Sequence, residues 1–327
     1  MAGVKEKTLR ALRETSEEYL SGEGLSNLLG VSRTAVWKAV QSLREEGYDI
    51  ISQARRGYRL NKIPDLLLPA EIRWGLGTRW LGHQIHYHDT LSSTNILAKE
   101  LARQGAAEGT LVVTEEQKEG RGRRGRTWYS PRGEGVLFSF ILRPALQPTH
   151  APQLTFMAAV AVAETLRREY DLPAGIKWPN DIYIGGRKVA GILTELSAEV
   201  DGINFVAMGI GVNVNTRLDS FSPSLRARVT SLLQEKGHPI ARVLLLQRLL
   251  YSLEREYTAL SQEGFAPLRR RWLELDLVLG KKVRIIAPER SFTGRAVNVD
   301  EYGALLVQEQ EGKGGMRRVL AGDVSLR

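Results

Sequence analysis

Between residues 120 and 126 the chain reads Gly-Arg-Gly-Arg-Arg-Gly-Arg, and the residues after it decide which folds are open. By letter the stretch contains GxGxxG, the phosphate-binding turn of dinucleotide folds. Those folds need a helix to begin at the glycines, so that its free N–H groups meet the pyrophosphate. Here Thr127-Trp128-Tyr129-Ser130-Pro131 follows, which starts no helix, and a strand comes next. The dinucleotide fold fails on this context, and the absence of any GxxxxGK[ST] removes the P-loop as well. What remains is local chemistry. The glycines let the backbone approach a ligand while four guanidiniums surround it, and successive N–H groups make an anion nest. Arginine forks match carboxylate and phosphate oxygens in pairs. Four cations this close repel one another, so an anion is expected to help order the loop. Taken alone, the stretch is equally a solvated basic turn that touches nucleic acid.

The loop is one of two places where positive charge collects. The 327 residues carry a net charge of +9, which favours a polyanionic partner. Residues 118–132 hold six basic groups against one acid, and residues 1–62 hold eleven against eight. No cysteine is present, which excludes disulfides, thiolate metal sites and a cysteine nucleophile. The N-terminus leads into no apolar core, and charges interrupt every apolar run before the roughly 18 residues a membrane span needs. These features predict a soluble, cytoplasmic protein with no membrane partner. The length suggests two or three domains.

The first charged region reads as a helix-turn-helix. Leu9 and Leu12 begin one apolar stripe, and Leu25, Leu28 and Leu29 form another at helical spacing. Gly30 interrupts, Ser32 is a good N-cap, and Val36, Val40 and Leu43 restart the pattern. In this motif the second helix enters the major groove, which makes Arg33, Thr34, Lys38 and Gln41 candidate DNA contacts. Trp37 shares their outward face, but a tryptophan is more often a packing residue than a base contact, so it is not among the candidates. A strand, a basic turn with Arg55 and Arg56, and a second strand look like a wing that lays cations on phosphates. The alternative is a small helical domain whose arginines only keep it soluble.

Beyond a linker at Asn61–Asp65 the chain mixes strands and helices. Helices are expected over 93–103, 153–170, 242–260 and 266–274, and strands over 110–114, 136–142, 182–184, 188–196 and 204–214. Gly185-Gly186 is a hairpin turn. From Val278 onward short strands alternate with glycine turns, as in a small all-β barrel. The fold class is therefore α/β (α+β), divided as 1–63, 64–275 and 276–327. His83, His86 and His88 could suggest a metal, but their alternation with Ile85 and Tyr87 fits a strand with one polar face. Phe292–Arg295 is read as structural.

Four motifs then fall in a fixed order: Ser92-Ser93-Thr94-Asn95; Glu116-Gln117 running into the arginine–glycine loop and Trp128; Lys177-Trp178-Pro179-Asn180-Asp181 with Gly186–Leu193; and Gly209–Asn215. In this order and spacing the chain closely resembles the biotin–protein ligases. With its N-terminal module it resembles the bifunctional type, which also represses biotin operon transcription. The resemblance runs from about residue 8 to the end. The central motifs are specific, and the last domain matches mainly in texture and position. Lipoate ligases share the fold without this loop.

The resemblance implies a winged helix-turn-helix, a class II synthetase-like central domain and an SH3-like β-barrel. It implies ATP and biotin as substrates, biotinyl-5′-adenylate as intermediate, and Mg²⁺. Implied partners are the lysine of a biotin carboxyl carrier domain, operator DNA of biotin synthesis genes, and a second copy in a ligand-bound homodimer. By position it places Ser93, Thr94, Asn95, Gln117, Arg121, Gly122, Arg123 and Lys188 around biotin. Arg123, Arg124, Arg126, Trp128, Asn180 and Asn213 fall to the adenylate. Lys188, Arg123, Asp181 and Lys177 take the catalytic roles, Lys177 facing pyrophosphate and Asp181 holding Mg²⁺ through phosphates. Two rivals stand beside this reading: a ligase with no operator binding, and a biotin-sensing transcription factor with no ligase activity.

Overall fold

Ser32 accepts a hydrogen bond from the Ala35 N–H at 3.2 Å, which caps the second helix of the helix-turn-helix as its sequence predicts. We describe the fold from a computed structural model, which covers residues 3–15, 18–199, 202–286, 291–309, 315–320 and 322–326. The chain divides into two units, Met1–Leu66 and Leu67–Arg327.

The first unit contains α1 (Val4–Glu14), α2 (Gly22–Leu29), α3 (Arg33–Glu45), β1 (Asp49–Gln53) and β2 (Gly57–Lys62). Leu9, Leu12, Leu25, Val36, Val40, Leu43 and Ile50 are buried. Leu28 departs from the expected stripe and stands 67% exposed. At 100° per residue, Leu25 and Leu29 share a face that Leu28 leaves to one side. The wing is as the sequence suggests, an antiparallel pair of β1 and β2 with the basic residues at its turn. It gains an edge contact, because Leu20 and Tyr58 exchange backbone hydrogen bonds of 2.9 and 2.8 Å. Gly57 permits that approach: its φ is +110°, and a Cβ there would stand 2.0 Å from the Leu20 carbonyl oxygen.

The second unit begins with α4 (Pro69–Arg73), β3 (Ile85–Leu91), α5 (Thr94–Arg103), β4 (Leu111–Gln117), β5 (Gly135–Leu142) and α6 (Ala151–Tyr170). It continues through β6 (Gly175–Lys177), β7 (Asp181–Ile184), β8 (Arg187–Glu199), β9 (Gly202–Asn213), α7 (Pro223–Arg226) and α8 (Leu232–Lys236). The long helices α9 (Arg242–Glu263) and α10 (Phe265–Leu275) follow. It closes with β10 (Lys282–Ile286), β11 (Ser291–Val299), β12 (Leu305–Glu309), β13 (Met316–Val319) and β14 (Asp323–Leu326). Seven strands form a mixed sheet in the order β3-β4-β5-β9-β8-β7-β6, parallel only between β3 and β4. The all-β texture after residue 278 becomes a five-stranded antiparallel sheet, β13-β12-β11-β10-β14.

Strand alternation explains the layering. Val136, Phe138, Phe140 and Leu142 of β5, with Val206, Met208, Ile210 and Val212 of β9, pack in one core with α6 and α9. Ile141, Phe205 and Ala207 point the other way, to Ala98 and Ala102 of α5. So α6 is core, as its apolar length suggests. One ion pair is wholly inside: Arg242 Nη1 lies 2.7 Å from Glu115 Oε2, both side chains fully buried. The other Glu115 oxygen accepts the Leu67 N–H at 2.7 Å, which anchors the start of this unit to β4.

Candidate active site and nucleic-acid interface

On the α5 side of the sheet the strands run out of side chains. Gly209 and Gly211 of β9 and Gly191 of β8 leave a bare floor, and larger residues do not fit there. A Cβ on Gly209 would come 2.4 Å from Asn95 Oδ1, and one on Gly211 would come 2.7 Å from the Trp128 ring. Above this floor is a cavity of about 440 Å³, within the range for small-molecule sites.

One end of the cavity is built where α5 begins. The Thr94 N–H, one of the donors a helix N-terminus leaves open, reaches Gln117 Oε1 at 2.8 Å. The Thr94 hydroxyl reaches the same oxygen at 3.2 Å. The Gln117 carbonyl is thereby occupied and its NH₂ group is the part left to meet a ligand. Ser139, buried on β5, stands 2.7 Å from both Thr94 Oγ1 and Asn95 Oδ1. Asn95 spends its amide donors on Leu193 O at 3.2 Å and Glu195 Oε2 at 2.9 Å, and Lys99 Nζ closes on Glu195 Oε1 at 2.5 Å. Burial alone would raise the Glu195 carboxyl, but hydrogen bonds from Lys99 and Asn95 hold it below the usual carboxylate range.

The arginine–glycine loop forms the roof as a closed hairpin. Trp128 N–H donates to Gly120 O at 2.7 Å and Gly122 N–H to Arg126 O at 2.7 Å. Mutual repulsion is relieved by sending the guanidiniums to different places. Arg121 lies 3.9 Å from Glu119, Arg123 donates to Asn180 Oδ1 at 3.1 Å, and Arg124 donates to Ile286 O of β10 at 2.7 Å. Trp128 lies over the glycine floor with its indole N–H buried and unbonded among the described residues, and Lys188 Nζ sits 5.2 Å from its ring centroid. Lys188 also pairs with Asp181 at 2.6 Å.

Ser93, Thr94, Asn95, Gln117, Arg121, Gly122, Arg123, Arg126, Trp128, Asn180, Asp181, Lys188 and Asn213 all line this cavity. Arg124 and Lys177 do not. Arg124 turns to the five-stranded sheet. Lys177 lines a neighbouring cavity with Arg126, Arg228 and Lys281, where its Nζ donates to Tyr183 Oη at 3.3 Å. Burial, and then the Asp181 charge, push that phenol up to about 12, so it is neutral near pH 7. Besides Asn95, two asparagines line the cavity while holding backbone: Asn180 donates to Ile192 O at 2.8 Å and Asn213 to Thr230 O at 3.0 Å.

Sequence reasoning missed Ser139, Lys99 and Glu195, which act through Thr94 and Asn95 rather than in a motif of their own. It also missed the wall made by Phe221, Leu225, Arg228 and Val229. That segment has no periodicity; it is held by backbone bonds of 2.8 Å from Lys188 N–H to Arg228 O and from Thr230 N–H to Lys188 O. Phe221 meets Tyr129 of the loop edge-on at 5.4 Å. For a metal, Asp181 is the one acidic residue that lines the cavity among the described residues. A single carboxylate suits Mg²⁺ held mostly by phosphates and water, and not a cage made of protein. His83 is engaged elsewhere, 3.0 Å from Thr78 O.

In the first unit, Arg33, Thr34 and Lys38 are exposed on α3 and Gln41 is partly so. Trp37 is 52% exposed among them, on the outward face its spacing predicts. Arg55 and Arg56 are exposed at the wing turn, Arg55 with a φ of +63°. Arg56 stacks over Tyr19 at 4.4 Å and donates to Gln53 Oε1 at 3.1 Å.

Three family models match the chain: an HTH domain over residues 4–59, the biotin/lipoate A/B protein ligase family over 87–215, and the biotin protein ligase C terminal domain over 278–327. The chain is 41% identical to the bifunctional ligase/repressor BirA of Bacillus subtilis, across 99% of this chain and 98% of that one. It is 33% identical to the protein of the same name from Escherichia coli, across 95% and 94%. Among solved structures it is similar to the biotin protein ligase from Aquifex aeolicus in complex with biotin and ATP. There the TM-score is 0.65 at 29% identity, over 75% of this chain and 99% of that one.

Proposed function

Because the chain belongs to the biotin protein ligase family, in its bifunctional ligase/repressor branch, we propose that it joins biotin to a carrier-domain lysine and represses biotin synthesis genes. The observation that carries the ligase reading is the make-up of the cavity over the glycine floor. It gathers neutral hydrogen-bonding groups (Ser93, Thr94, Gln117) at one end, a guanidinium roof, and Lys188 beside Asp181. Biotin offers the matching pattern: a neutral ureido ring, an apolar chain that needs a smooth floor, and a carboxylate.

In the first step a biotin carboxylate oxygen attacks the α-phosphorus of ATP. The bond to the β-phosphate oxygen breaks and pyrophosphate leaves. Lys188 stabilises charge on the reacting oxygens, Arg121 stands by biotin, and Arg123 holds the adenylate. Arg126, reaching both cavities, and Lys177 in the second one provide cations on the pyrophosphate side. Asp181 would hold Mg²⁺, which supplies charge neutralisation of the phosphates. In the second step the acceptor amine attacks the acyl carbon, AMP leaves and the amine proton is lost. No protein nucleophile is needed; the chain positions the reactants and keeps water from the anhydride. Trp128 and the loop give that cover. Asn95, with its amide already spent, acts by fixing α5 to the floor.

Residues 1–63 would bind operator DNA, 64–275 carry the ligation, and 276–327 close the nucleotide side, the whole working in the cytoplasm. Repression would follow if adenylate favours a homodimer that places two DNA readers on two half-sites. The test is biotin-dependent pyrophosphate release from ATP. A protein that only senses biotin releases none, and that result would end the ligase reading. Gel shifts across a salt series test the second activity, since a ligase without operator binding gives no sequence-specific shift. Sedimentation with and without biotin and ATP tests the dimer, and equal dimerisation in both states removes the switch.

A further inference from the structure

We propose that Trp37 is a specificity-determining contact of α3, its indole packing on thymine C5-methyl groups in the major groove; this rests on the operator-binding reading above. Residues four apart on a helix form a line along its surface. Arg33, Trp37 and Gln41 make one such line and Thr34 and Lys38 a second to one side of it, while Val36, Val40 and Leu43, on its other side, are buried. The indole thus stands on the exposed side of α3 near its border with the core, 52% exposed in the full chain, with Arg33 and Gln41 one turn before and after it. A partner for this face must offer anionic groups to its cations and one apolar point to the indole. A protein surface would call for further apolar residues around the tryptophan. The major groove meets the requirement as it stands: phosphates flank it, and the thymine methyl is the apolar group on its base edges.

Spacing and charge agree. Four residues of helix span about 6 Å, close to two base-pair steps of roughly 3.4 Å. A base contact by Arg33 and a methyl contact by Trp37 therefore fall within one half-site. Lys38 on α3, and Arg55 and Arg56 on the wing turn, are exposed to meet the phosphates.

The probe is the duplex enriched from random-sequence DNA by the full-length wild-type protein, made once with thymine and once with deoxyuridine throughout. Deoxyuridine removes the methyl and leaves the hydrogen-bond pattern of the base unchanged. Wild-type affinity should fall about tenfold on the deoxyuridine duplex, the size of one lost base-pair contact. Trp37→Ala should bind the thymine duplex about tenfold more weakly and distinguish the two duplexes by less than about twofold. Trp37→Phe, which keeps an aromatic plane, should retain part of the preference, and it decides the matter should melting show Trp37→Ala to be unfolded. A wild-type protein indifferent to the methyl overturns the proposal, as does a Trp37→Ala that keeps the full preference. So does a Trp37→Ala that changes only the sedimentation of the protein, since the face is then a contact between chains. A selection that enriches no sequence removes the operator reading itself, a failure distinct from these.

Discussion

The two cationic regions of this protein hold their charge in opposite ways. On α3 and the wing, basic side chains stand exposed outside a small apolar core. In the arginine–glycine loop they stand around the rim of a cavity, Arg123 half-buried and Arg121, Arg124 and Arg126 exposed. Arg121, Arg123 and Arg124 are sent to separate acceptors: Glu119, Asn180 and the Ile286 carbonyl. A long polyanion is met by many weak, water-exposed contacts whose strength depends on salt. A small anion that must be kept from water is met by a few oriented groups. Local charge density alone does not separate these cases; the shape beneath the charge does.

The strongest way to break this contrast is Lys188→Ala. It should lower biotin-dependent pyrophosphate release about 10²–10³-fold, as loss of a charge-stabilising group does, while leaving DNA affinity without biotin as it was. A rate near wild type would remove Lys188 from the chemistry. Next comes Arg123→Gly, expected to shorten the lifetime of adenylate on the enzyme by about ten- to a hundredfold, the worth of a charge-assisted hydrogen bond. Retention measured by gel filtration of labelled adenylate checks it. Asn180→Ala should move retention the same way by less, because Asn180 only steadies that guanidinium.

Salt sharpens the contrast further. Arg55→Ala should weaken all DNA sequences alike and make the log–log salt slope shallower by about one. Arg121→Ala should leave that slope alone; an equal change in both variants would mean that the loop also lies on DNA. The smallest effect is at Glu195. Its carboxyl is held below the usual range when folded, so its stabilisation is full above the unfolded value and fades as pH falls through the lowered folded one. Glu195→Gln should therefore cost on the order of 1 kcal/mol near neutral pH, and the Tm gap to wild type should close as pH drops below about 4.5, the ordinary value. A gap constant with pH would show that the charge is irrelevant there.

Much of this architecture could be read from the chain because the signals are local. The Ser32 cap, the Gly30 stop and the two-residue glycine turn at 185–186 each act within a few residues of themselves. Motif residues such as Thr94, Gln117, Arg123 and Lys188 were legible through resemblance, and they do meet in one cavity. Leu28 was misjudged because a helix of eight residues buries a narrower face than its apolar residues would fill. The outward placement of Trp37 was legible from the helical spacing of α3, which puts Val36, Val40 and Leu43 on the buried side. Arg124 and Lys177 were grouped with the loop and the strand that carry them, although one turns to Ile286 and the other to Tyr183.

The sequence by itself determined the order of elements, the caps and turns, the glycines that pave the floor and the chemistry gathered in the motifs. Those depend on backbone preferences and on residue identity, which act at short range. Only the tertiary structure decided that Ser139, from a strand 44 residues beyond Asn95, holds Asn95 Oδ1, and that Glu195, 100 residues away, takes its amide. It also decided that residues 221–229 wall the cavity. The reason is that a hydrogen-bond partner or a cavity wall is set by which strands lie side by side. Strand order in a seven-stranded mixed sheet is fixed by the packing of the whole core, and no window of sequence contains it.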